Sequence, residues 1–132
     1  MPILAQKSLC CGAKFAMTFS DASPEVKLVA VLLFAVAIAS PVLWLRARRR
    51  GAGPRSLAFL AGWRLAAPLL AVAAGGYVLM NFFVALYSYP PVPANLAYGP
   101  GLAEVSMLLF AGFLAGGVAS LCHADLTRRL PA

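Results

Sequence analysis

Glu104 is the residue around which any chemistry in this sequence has to be arranged. It lies in the run Tyr98-Gly-Pro-Gly-Leu-Ala-Glu-Val-Ser-Met-Leu-Leu-Phe-Ala-Gly-Phe-Leu-Ala-Gly-Gly-Val-Ala-Ser-Leu121, where every other side chain is apolar, small or a hydroxyl. A helix of about 20 such residues crosses the hydrocarbon core of a bilayer at about 1.5 Å per residue. A charged side chain at mid-bilayer costs roughly 2.5–3.5 kcal/mol on insertion scales, and less near the edge. Glu104 sits about one turn inside the first end of that run. Two readings follow: a hydrated carboxylate at the membrane interface, or an acid that exchanges a proton or holds a cation. Asn81 is the second polar position, the only amide in any apolar run. Buried without a partner in hydrocarbon it costs several kcal/mol, so it is expected to face protein or water.

Other chemistries lack their residues. Cys10 and Cys11 are adjacent, a spacing that disfavours a strain-free bridge, and Cys122 closes the last apolar run. With no Cys-x-x-Cys and with His123 as the single histidine, a zinc site has too few ligands and a haem has no second axial histidine. No nucleophile–base pair and no phosphate loop point to an enzyme, and no cofactor is implied. The net charge of +7 comes mostly from arginines beside apolar runs, which suits membrane topology and not a nucleic-acid surface.

Three apolar runs carry these residues. In a chain of 132 residues that is 62% hydrophobic and 11% charged, they define an all-α integral membrane protein of three transmembrane helices. The expected spans are about 26–45, 65–87 and 102–121, in a membrane domain 26–132 behind a polar head 1–25. Within that head Met17 reads as an alternative start, and no signal-peptide pattern is present. Ser23-Pro24-Glu25 is a helix start: a cap residue, proline in the first turn, then an acid. Ser40-Pro41 is expected to kink the first span near its end, and Trp44 to mark an interface. Six arginines follow between Arg46 and Arg64, around a Gly51-Ala-Gly-Pro54 break; the stretch 57–63 reads as an interfacial lead with Arg64 snorkelling. The linker 88–101 has four prolines and no charge, and Tyr87, Tyr89 and Tyr98 make an aromatic belt. By the excess of arginine this orients the chain with its N-terminus out and its C-terminus in, against the three lysines of the first 27 residues.

Small residues mark the faces that meet other helices. Ala67, Ala74, Asn81 and Ser88 recur every seven positions in the second span, and Gly75 lies beside them. Gly112, Gly116 and Ser120 recur every four in the third span, which permits close backbone approach and is read as an oligomer contact.

Met80-Asn81-x-Phe83, followed by Asn95-Leu-Ala-Tyr-Gly-Pro-Gly-Leu-Ala-Glu104 and the small-residue run, resembles the last two spans of the MotA/TolQ/ExbB family over residues 75–121. The resemblance implies an inner-membrane energiser driven by the proton-motive force. It further implies a homo-oligomer around a single-span ExbD- or TolR-like partner, with Glu104 and Asn81 at the family's ion-pathway positions. The family's pore threonines fall at Gly75 and Leu109, and its cytoplasmic helical region is reduced to the arginine loop. The alternative is a structural accessory subunit of a larger membrane complex that conducts nothing.

Overall fold

The computed structural model describes residues 11–51, 53–88 and 99–129. They form four helices: α1 (Cys11–Asp21), α2 (Pro24–Arg50), α3 (Pro54–Ser88) and α4 (Gly99–Arg128). Among the described residues α2, α3 and α4 are long and apolar enough to cross a membrane, so the chain is a multi-pass membrane protein. At about 1.5 Å per residue, the 35 residues of α3 reach about 50 Å, more than a whole bilayer, so this helix tilts or projects beyond the headgroups.

Helix ends follow local chemistry, with several departures from the expected boundaries. Within the head, α1 is helical and turns into α2 through Ala22 and Ser23, where Lys27 Nζ donates to Ser20 O at 2.9 Å. Ser23 holds the cap position, with Pro24 and Glu25 in the first turn, but its hydroxyl makes no capping bond. The helix that holds the first span continues past residue 45: α2 runs through Pro41 to Arg50. The stretch 57–63 belongs to the same helix as the second span, since α3 is unbroken from Pro54. Gly99-Pro-Gly101, assigned from sequence to the linker 88–101, is instead the first turn of α4. Proline is tolerated there because the first turn's N–H groups have no helical acceptor to lose. The residues between Ser88 and Gly99, with Tyr89 and Tyr98 of the expected aromatic belt, lie outside the described residues, as does Cys10.

α4 is the central helix. It buries 39% of its most apolar stretch, against 22% for α2 and 17% for α3. It packs along α3 and α2, which touch one another much less, and also meets α1. The buried side chains form three stacked layers. At one end Val26, Ala30, Val78, Met107 and Leu108 pack with Phe19 and Val105. The middle layer is Leu33, Val36, Ala67, Ala71, Ala111 and Ala115. Ala47, Leu60, Ala119 and Leu126 close the other end, flanked by Trp44 and Trp63. The first end holds Glu25 and Glu104, the last holds Arg46 to Arg55, and they are called here the carboxylate and arginine ends.

Packing is set by alanine and glycine where α3 and α4 run antiparallel. A Cβ on Gly112 would collide with the Ala71 Cβ and lie 2.9 Å from the Ala67 carbonyl; one on Gly116 would lie 2.8 Å from Pro68 Cδ. Only the absence of side chains at these positions lets the two backbones approach. Outward, Leu28, Ile38, Leu69, Phe83, Phe110 and Leu121 are all exposed, a surface suited to lipid or other apolar helices and not to water.

Candidate functional site

Three helices converge on a cleft of about 370 Å³ at the carboxylate end. The start of α2 contributes Ser23 and Glu25; α3 contributes Tyr77, Val78, Asn81 and Phe82; α4 contributes Gly101 and Glu104. Helical spacing explains the α3 set, since Tyr77 and Asn81 are four apart and Val78 lies between them on the same flank. Gly101 fixes the depth of the cleft: a Cβ there would stand 2.8 Å from the Phe82 ring, so only glycine lets α4 begin this close to α3. Glu104 lies one turn further in, half-buried, with the backbone amide of Ser23 within electrostatic reach of its carboxylate.

The two positions singled out in the sequence, Glu104 and Asn81, therefore line one space. Asn81 is exposed on the surface of the single chain and faces the cleft from its rim. The other four singled-out positions lie elsewhere. Gly75 is buried, its missing Cβ 3.4 Å from Val105. Gly112 and Gly116 face α3 of the same chain. Ser120 is half-buried and 16 residues from Glu104, about 24 Å along the helix and remote from the cleft. The face of sevens also separates: Ala67 is buried, Ala74 half-buried, Asn81 and Ser88 exposed. Seven residues fall about 20° short of two helical turns, so the row winds off the α4 contact as it approaches the carboxylate end.

Sequence reasoning missed Glu25, Ser23 and Tyr77 as members of the site. Tyr77 was within reach, being one turn before Asn81. Glu25 had been assigned only a helix-start role. Two carboxylates, an amide and a phenol around one opening can accept a proton or a single positive charge, because like charges on the walls favour a counter-charge between them.

Below the cleft the polar character stops. Val78, which lines it, packs with Met107 and Leu108, and the middle layer beyond is aliphatic. Ser40 is the one buried polar side chain among the described residues, and its hydroxyl donates to Val36 O of its own helix at 2.8 Å. Among the described residues no chain of polar side chains continues through the bundle.

At the arginine end, Trp44 Nε1 donates to Asp125 Oδ2 at 2.8 Å, joining α2 to α4. Arg129 Nε reaches the same oxygen at 3.0 Å, and the Arg48 guanidinium lies 5.2 Å from the Trp44 ring centre.

Comparison with family models, curated proteins and solved structures finds no match in any of the three.

Proposed function

We propose that this chain is a subunit of an oligomeric, ion-handling assembly of the inner membrane, similar in working principle to ExbB and TolQ, with Glu104 as the exchanging carboxylate. The observation that supports this reading most is the convergence of Glu104, Asn81 and Glu25, one from each spanning helix, on a single cleft. In the proposed orientation the cleft opens to the outside and the arginine end faces the cytoplasm. Because the bundle interior is apolar, a proton or cation leaving the cleft has to travel between subunits. The exposed flank of α3 with Tyr77 and Asn81 is the surface that a second copy, or a single-span ExbD- or TolR-like helix, would cover.

Glu104→Gln keeps the size and a hydrogen-bonding group while removing the exchangeable proton. In proteoliposomes of the native assembly it is expected to lower proton flux at least about tenfold, the order of a lost transfer group, with unchanged membrane insertion. Equal flux in mutant and parent rejects the ion-handling reading.

One observation favours the alternative, an accessory subunit without conduction. Gly112 and Gly116 are filled by α3 of the same chain, so these glycines serve the subunit's own fold. Native mass measurement of the solubilised complex separates the two: copies of this chain with a short single-span partner support the first, and one copy within a large complex supports the second.

A further inference from the structure

We infer that the arginine end is a binding surface for the phosphate headgroups of anionic phospholipids, independent of what the cleft does. All eight arginines of the chain lie from Arg46 to Arg64 or at Arg128 and Arg129, while Asp125 is the single acidic side chain among them. The other three acids and the three lysines all lie elsewhere, so this end carries the whole net charge of +7. Asp125 is committed to Trp44 and Arg129, and Arg48 lies over Trp44. Arg46, Arg49, Arg50, Arg55 and Arg128 are left exposed without an acidic side chain of this chain to answer them.

Their height favours lipid over an acidic protein segment. α2 ends at Arg50 and α3 begins at Pro54, so only residues 51–53 lie between the helices, and the turn stays at the membrane surface. Trp44 and Trp63 flank the last core layer and mark the interface. Arg50 is six residues past Trp44 and Arg55 eight before Trp63, about 9 and 12 Å by helical rise. Allowing for tilt, these guanidiniums stand in the headgroup layer. A guanidinium meets two phosphate oxygens at once, and several on one rim favour a phosphodiester whose charge is not cancelled by choline. Lipids held here would ring the subunit on one leaflet.

Detergent solution separates binding from orientation, because it has no inside or outside to sort arginines. The purified full chain is incubated with phosphatidylglycerol or with phosphatidylcholine of the same acyl chains, and bound lipid is read by native mass spectrometry. The expected result is about tenfold greater retention of phosphatidylglycerol, falling towards parity in about 0.5 M salt, where screening shortens to a few ångströms. The combined variant Arg49→Gln, Arg50→Gln, Arg55→Gln is expected to lose the preference. Equal retention of both lipids by the parent overturns the inference, as does an undiminished preference in the variant. An acidic protein co-purifying in salt-sensitive fashion without any lipid preference also overturns it. Should the variant fail to insert, the parent's lipid ratio and its salt dependence decide alone.

Discussion

Trp44 and Asp125 hold the arginine end together through one oxygen that accepts two hydrogen bonds, from the indole and from Arg129. The indole can only donate, so removing its acceptor leaves a polar N–H at the edge of the apolar layer. Asp125→Asn keeps a carbonyl oxygen for the indole but loses the charge that holds Arg129. Asp125→Ala loses both. Resistance to unfolding by sodium dodecyl sulfate is therefore expected to rank parent, then Asp125→Asn, then Asp125→Ala, and Trp44→Phe is expected to add little to Asp125→Ala. Equal midpoints across the series would show that the contact contributes nothing. This pair was not legible in the sequence, where Trp44 reads only as an interfacial ring. The partners are 81 residues apart, and only the register of α2 against α4 brings them into contact. Glu25 was hidden for the same reason, whereas Glu104 and Asn81 stood out because their cost in hydrocarbon depends on local composition alone.

The three spanning helices were legible because apolar length is a local property; their ends were not. Pro41 and Pro68 lie inside helices and Pro54 and Pro100 in first turns, so neither internal proline ends its helix. In water, a chain freed at proline exchanges its hydrogen bonds for solvent. In hydrocarbon an unpaired backbone group has no such exchange, so the helix continues through. The Gly112-x-x-x-Gly116 spacing likewise announced close approach but not the identity of the approaching helix, which is α3 of the same chain. Gly117 gives an internal control, since a Cβ there meets nothing within 4 Å. Gly112→Ala must push the α3 backbone away and is expected to destabilise by about 1–3 kcal/mol. Gly117→Ala is expected to be neutral or stabilising by less than about 1 kcal/mol. Dodecyl sulfate unfolding of the monomeric chain measures both, and equal effects would remove the claim that glycine sets this helix spacing.

Across the bundle, charge and chemistry are segregated: carboxylates with a cleft at one end, arginines at the other, and aliphatic layers between. Such a molecule is expected to insert in one orientation, because arginines flanking short loops are retained on the cytoplasmic side. The three lysines, all before or at the start of α2, oppose this but are outnumbered by the eight arginines. Two positions report the orientation without disturbing packing. Gly53, in the α2–α3 turn, has open space where a side chain would go, and Ser88, the last residue of α3, is exposed at the carboxylate end. With the native cysteines replaced, Ser88→Cys in intact cells is expected to react with a membrane-impermeant maleimide. Gly53→Cys is expected to react only after the membrane is opened. The opposite pattern would turn the cleft towards the cytoplasm, and Glu104 could then no longer receive protons from outside. Moving the charge tests the cause: replacing Arg46, Arg49, Arg50 and Arg55 by glutamine leaves the head's lysines as rivals to four remaining arginines. A mixed labelling pattern is expected from that variant, since the retained excess is then small. Labelling unchanged from the parent would show that the apolar helices themselves, and not the arginines, set which way the cleft faces.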